Sequence, residues 1–93
     1  MKRRITCLDK YEAQKLGSLL FDKNGKETFI TGILDVVENE IVVSLKDKSA
    51  HSVLLKNDEQ VDAFTDFIQS VVEREHELKD AKVVDDVVEI TKE

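Results

Sequence analysis

The sequence predicts an α+β fold: a four- to five-stranded antiparallel β-meander packed against a long C-terminal helix, with a Val-rich extension after it. Three observations predict it. Two turn signals, Asn24-Gly25 and Glu38-Asn39, separate runs rich in Ile, Val and Leu, and Asn tolerates the left-handed backbone of a tight hairpin. Read outward from those turns, the flanking runs agree on one apolar face. After Asn57, apolar residues recur at helical spacing.

In chain order, Arg3–Leu8 reads as a short strand, with Ile5 and Cys7 able to face inward. Asp9 can cap one or two helical turns over residues 10–14. The competing reading is a helix from Asp9 to Leu20, but the Asn-Gly turn that follows favours a strand over residues 16–21. Its register sets Phe21 opposite Thr28, Leu19 opposite Ile30 and Gly17 opposite Gly32. The two glycines would leave a hollow for a bulky side chain. The central hairpin, Thr28–Val36 with Glu40–Lys46, pairs Val37 with Glu40, Val36 with Ile41, Leu34 with Val43 and Gly32 with Leu45. Ile30, Leu34, Val36, Ile41, Val43 and Leu45 then share the buried face. A fourth strand follows over His51–Lys56.

Asn57 is a good N-cap, and Gln60 stands where a capping box places its second residue. Asp58 and Glu59 suit the positive end of the helix dipole. Val61, Phe64, Ile68, Val71 and Val72 form the stripe of a helix expected over residues 58–78, with Phe64 or Phe67 seated over the glycine hollow. The remainder is ambiguous. Val83, Val84, Val87 and Val88 recur four apart like a helical stripe, yet their β-branching favours a strand. Residues 1–80 are therefore expected to form one domain and residues 81–93 an extension. That extension is read as a helix, or as a segment that swaps or binds a partner. No internal repeat is evident. The meander and helix resemble, at the level of fold, the late half of a pleckstrin-homology-like or small-barrel domain, a likeness that carries no function.

Ninety-three residues with 37% charged and 41% hydrophobic side chains fit one folded domain. A chain of this length buries roughly 60–65% of its unfolded surface and has little room for a deep active site. The lone Cys7 has no partner for an internal disulfide, which points to a reducing, cytoplasmic setting. No apolar run approaches a membrane span, and no signal-peptide core follows Met1-Lys2-Arg3-Arg4. The net charge of -6 is uneven. Residues 1–57 hold 10 Lys and Arg against 8 Asp and Glu, and residues 58–93 hold 4 against 12. An acidic C-terminal third repels nucleic acid and suits a basic partner.

Candidate chemistry is sparse. Cys7 and His51 could pair as nucleophile and base, but the third group and oxyanion site have no signature. Glu73, His76 and Asp80 would share one side of a helix, as metal ligands do; an acidic solvated face accounts for them as well. Lys2, Arg3 and Arg4 are the one basic concentration, more consistent with a charged edge strand than with a nucleic-acid surface. No phosphate loop, zinc pattern or triad spacing is present. No cofactor or metal is expected, and no enzyme activity.

The expected function is that of a small acidic protein-binding module, an adaptor or inhibitor. It is similar in type to the small acidic inhibitors that phages and other mobile elements encode, whose carboxylate rows imitate DNA phosphates. The expected partner-binding residues are Asp62, Asp66, Glu73, Glu77 and Asp80 on the helix, with Val83, Val84, Val87 and Val88 in the tail. Self-association through the Val segment, giving a homodimer, is expected alongside a protein partner, with no membrane contact. The alternative is a nucleic-acid-associated regulator using the basic N-terminus.

Overall fold

The computed structural model describes residues 1–21, 29–73 and 77–92. Its elements in order are β1 (Lys2–Thr6), α1 (Lys10–Leu20), β2 (Ile30–Val37), β3 (Glu40–Leu45), β4 (Ala50–Leu54), α2 (Asp58–Val72), β5 (Leu78–Val84) and β6 (Val87–Lys92). They make two three-stranded antiparallel sheets, β1-β6-β5 and β2-β3-β4. Among the described residues a bridge between Cys7 and Leu55 links them. The expected single meander under one long C-terminal helix is therefore overturned: there are six strands in two sheets, and two helices, among the described residues.

Three local departures account for the difference. The strand expected over residues 16–21 belongs to α1. Ala13, Leu16, Leu19 and Leu20 are its buried residues, and this spacing of three, three and one is that of a helix face. Asp9 caps it, its Oδ1 accepting the Glu12 N–H at 2.9 Å. Gly17 is thus nowhere opposite Gly32, and the hollow between them does not form. The Asn24-Gly25 turn lies outside the described residues.

The second departure is the length of α2. It stops at Val72, and the Glu73 N–H closes it on the Gln69 carbonyl at 2.8 Å. The third is the Val-rich tail. Val83-Val84 and Val87-Val88 are the two arms of a hairpin, paired Val84 with Val87 and Val83 with Val88 across Asp85-Asp86. Their doubling in the sequence is the symmetry of a two-residue turn. Val88 and Ile90 are fully buried, so residues 81–92 complete the core and are not an appended extension.

The Glu38-Asn39 hairpin is observed with Val37 opposite Glu40 and Val36 opposite Ile41. Further out its register departs from expectation, because β2 bulges between Ile33 and Asp35 and again between Ile30 and Gly32. Ile33, and not Leu34, faces Val43, and Leu34 is left 60% exposed. The left-handed residue of the turn is Glu38, with φ 55. Asn39 instead ties the turn to the end of β4. Its carbonyl accepts the Leu55 N–H and its Nδ2 donates to the Leu55 carbonyl, both at 2.8 Å.

The chain contains a structural repeat that residue identity does not disclose. Strand, helix, strand and strand occur twice, as β1-α1-β2-β3 and as β4-α2-β5-β6. A shift of 48 carries Lys2 to Ala50 and Lys10 to Asp58, and a shift of 47 carries Glu40 to Val87. Caps correspond, Asp9 with Asn57. Buried helix positions correspond, Leu16 with Phe64 and Leu20 with Ile68. Left-handed turn residues correspond, Glu38 with Asp85, at φ 55 and 54.

The two units exchange parts. β1 of the first unit pairs with β6 of the second, and β4 of the second pairs with β3 of the first. The helices cross likewise: α1 packs on β4, β5 and β6, and α2 on β1 and β2. Reciprocal hydrogen bonds fix the exchange. Leu8 N–H donates to the Leu54 carbonyl at 3.0 Å and Lys56 N–H to the Thr6 carbonyl at 3.1 Å. Gln60 Oε1 accepts the Thr6 N–H at 2.8 Å, and Glu12 Oε2 accepts the Leu54 N–H at 3.1 Å. The expected capping box is thus half made. Asn57 caps α2, but Gln60 reaches across to the other unit.

Cys7 and Leu55 sit at the centre of this arrangement, both fully buried. The alternating buried positions of β3 (Ile41, Val43, Leu45) correspond to Val88, Ile90 and Lys92 of β6. Lys92 is the exception in kind. It is 6% exposed, its Nζ lies 4.5 Å from the centre of the Phe67 ring, and it donates to the Phe67 carbonyl at 3.3 Å and to Ser70 Oγ. A carbonyl, a hydroxyl and a ring face near the negative end of α2 offset the cost of burying the ammonium. The chain ends meet here as well, the Met1 ammonium donating to the Lys92 carbonyl at 2.7 Å.

Candidate functional site

α2 presents its outward face as a row of acids. Val61, Phe64, Phe67, Ile68 and Val71 are buried, which leaves Asp58, Glu59, Asp62, Asp66, Gln69 and Glu73 exposed on the opposite side. Asp62 and Asp66 are one turn apart, and so are Gln69 and Glu73, so they neighbour one another along the helix. Gln69 Nε2 donates to Glu73 Oε1 at 3.1 Å. Among the described residues Asp62, Asp66 and Glu73 take part in no ion pair; the pair that does form joins Lys2 to Glu89 at 3.7 Å.

Beside this row, between α2 and β2, lies an open groove of about 440 Å³ lined by Gly32, Ile33, Thr65, Gln69, Val72 and Glu73. Ile33 and Val72 give it an apolar floor. Thr65 Oγ1 is buried there with no hydrogen-bond partner among the described residues. An unsatisfied buried hydroxyl costs on the order of 1–3 kcal/mol, so this position is not optimised for stability alone.

The nine residues expected to bind a partner are split by the fold. Asp62, Asp66 and Glu73 share the exposed side of α2, next to the groove. Glu77 and Asp80 are exposed at the start of the hairpin, and the Asp80 carboxylate accepts the Ala81 N–H at 2.9 Å. Val83 and Val84 are 37% and 65% exposed on β5, which packs on α1. Val87 is half-buried, and Val88 is in the core. The acids of α2 therefore lie apart from the valines, while Asp80 shares β5 with Val83 and Val84. Gly32, Ile33, Thr65 and Gln69 were not foreseen from the sequence. Gly32 gave a signal, a lone glycine inside a strand pattern, but it was matched to the wrong neighbour.

The other candidate constellations are not assembled. Cys7 is paired with Leu55, just past β4, and His51 stands four residues earlier in the chain, within β4, roughly 13 Å away at extended spacing. Burial pushes the Cys7 thiol up to about 12, with the carboxylates of Glu12, Asp86 and Asp9 adding to the effect, so the thiolate nucleophile is suppressed at neutral pH. His51 Nε2 lies 3.0 Å from Ser49 Oγ instead. Glu73 closes α2 while Asp80 lies in β5, so the helix that would have aligned them with His76 ends too early. His76 itself is outside the described residues, and among those described no group of His, Cys, Asp and Glu is placed to hold a metal. Lys2, Arg3 and Arg4 are exposed on β1 at a sheet edge, where Lys2 meets Glu89. Among the described residues no helix is long and apolar enough to cross a membrane.

Compared with protein-family models, with characterised proteins and with solved structures, the chain matches none.

Proposed function

We propose that this chain is a small, acidic, non-enzymatic protein-binding module of the cytoplasm, an adaptor or an inhibitor. The observation that carries the reading is the row Asp62, Asp66 and Glu73. These carboxylates are exposed on a rigid helix and free of ion pairs among the described residues, and they border an open groove. A fixed row of carboxylates attracts a basic protein surface and repels nucleic acid. Self-association, where it occurs, has Val83 and Val84 as its exposed apolar contacts, and Val84→Lys followed by light scattering addresses that contact separately.

The test uses the full chain as bait under cross-linking, beside a variant carrying Asp62→Lys, Asp66→Lys and Glu73→Lys. Both keep the same circular-dichroism spectrum if the fold is intact. The expected result is a protein partner held by the parent chain and lost by the variant, with capture weakening as salt is raised. A partner held equally by both chains would remove the acidic row from the explanation.

A further inference from the structure

The two units allow a comparison within one molecule. In one half α1 lies so close on β5 that a Cβ added to Gly17 would sit 2.5 Å from Val83 Cγ2. In the other half Thr65 occupies the place of Gly17, and Val36 the place of Val83. There the groove opens between helix and strand, with Thr65 on one side and Gly32 and Ile33 on the other.

Three departures from the repeat converge on that one place. β2 has 8 residues where β5 has 7, and the extra one falls at the Ile33/Asp35 bulge that turns Leu34 outward. Bulges of this kind bend a strand and re-aim its side chains. α2 runs past the point that matches the end of α1, from Gln69 to Val72 with Glu73 as its cap, and this extra turn supplies three of the groove's six lining residues. Thr65, standing where α1 has Gly17, then lines the gap, its own hydroxyl closed to solvent and unpartnered among the described residues. Drift of a duplicated framework gives no reason for all three changes to fall on one groove.

We infer that this groove is the recognition site, and that its ligand is a Lys- or Arg-rich segment of a partner protein that seats one apolar side chain on Ile33 and Val72. The inference rests on the protein-binding reading above and specifies where and what that binding is. Ile33 and Val72 define the seat. Glu73 at its rim, with Asp66 and Asp62 along the same helix, sets the charge of what lies beside it. Strand addition along β2 is not the mode: the Asp35 carboxylate already takes the Val36 N–H at 2.9 Å, and two bulges break the spacing a new strand would need. A second copy docked face to face fits poorly, since it would bring two acidic α2 faces together.

The experiment is an amide-shift titration of the full chain with two seven-residue peptides of equal charge, six lysines around a central leucine or around a central glycine, with spermine as a small polycation. The leucine peptide should bind at least about fivefold tighter than the glycine peptide, with shifts centred on Gly32, Ile33, Thr65 and Val72. Glu73→Lys should weaken it about tenfold. Equal binding of the two peptides, or the same shifts from spermine, would overturn the groove as a seat for an apolar side chain. No peptide binding, together with capture that is lost on charge reversal of the acidic row, would overturn the groove while leaving the acidic face standing. Capture insensitive to that reversal would remove both.

Discussion

At the scale of single residues, chemistry and burial pull apart most clearly at Cys7. Its thiol is buried at the junction of the two units, and its ordinary value of 9.0 is raised to about 12 by desolvation first and by nearby carboxylates second. The unfolded chain therefore loses this proton first as pH rises. Stability from this group is complete below pH 9.0 and falls between there and about 12, by up to ~1.4 kcal/mol per pH unit. Denaturant titrations at steps across that window should show the fall, and Cys7→Ala should flatten this part of it. A slope unchanged in Cys7→Ala would assign the loss to other groups. That Cys7 faces inward was legible from its place beside Ile5. The buried Lys92 was not, because nothing in a Thr-Lys-Glu terminus distinguishes a lysine folded over a phenylalanine from one in water. Thr65 was equally silent: its hydroxyl is conspicuous only once the space around it is known.

At the scale of elements, the sequence signals were strongest where local chemistry decides the outcome. Asn57 and Asp9 cap their helices as their side chains require. The Glu38-Asn39 hairpin forms where its turn residues place it, and β3 alternates without interruption. The errors arose where a choice depends on something distant. Residues 16–20 fit either a strand before an Asn-Gly turn or the end of a helix, and what decides is the surface of β5 and β6 that α1 covers. The bulge at Leu34 inverts the facing of the residues beyond it, and no residue there announces it. Gly17 shows how exacting the helix-to-sheet contact is. Alanine in a helix is ordinarily better than glycine by ~1 kcal/mol, but at this position its methyl would meet Val83. Gly17→Ala should therefore destabilise the protein by about 1–3 kcal/mol, the cost of overpacking, and Val83→Ala in the same chain should restore part of the loss. A raised melting temperature in Gly17→Ala alone would contradict the close packing.

At the scale of the whole molecule, the expected boundary near residue 80 falls inside β5, and the division that matters is the exchange between two units. The repeat is invisible to a comparison by identity because matched positions agree only in kind: Asp9 with Asn57, Leu16 with Phe64, Leu20 with Ile68. The doublets Val36-Val37 and Val83-Val84, each followed by an acid and a turn residue, are the nearest thing to a literal signature. Each sheet and each helix seat needs both units. Residues 1–47 or 48–93 alone should lack stable structure, and mixing the two fragments should restore the circular-dichroism spectrum and cooperative melting of the intact chain. Independent folding of either fragment would show that the exchange is dispensable.

The pairing of β1 with β6 bears on how the protein comes into being. A ribosome releases β1 ahead of the other strands and its neighbour β6 after them. The earlier unit, including the helix that must cover β5 and β6, waits in the open until β6 emerges. Domains generally fold as units, and here the closing contact pairs residues as far apart as Lys2 and Thr91, so loop closure precedes any reward from that pair. Native structure should thus arise only once β6 has left the ribosome. During synthesis the apolar faces of α1, β2 and β3 are held unfinished, and a chain truncated before Val87 has no route to the folded state.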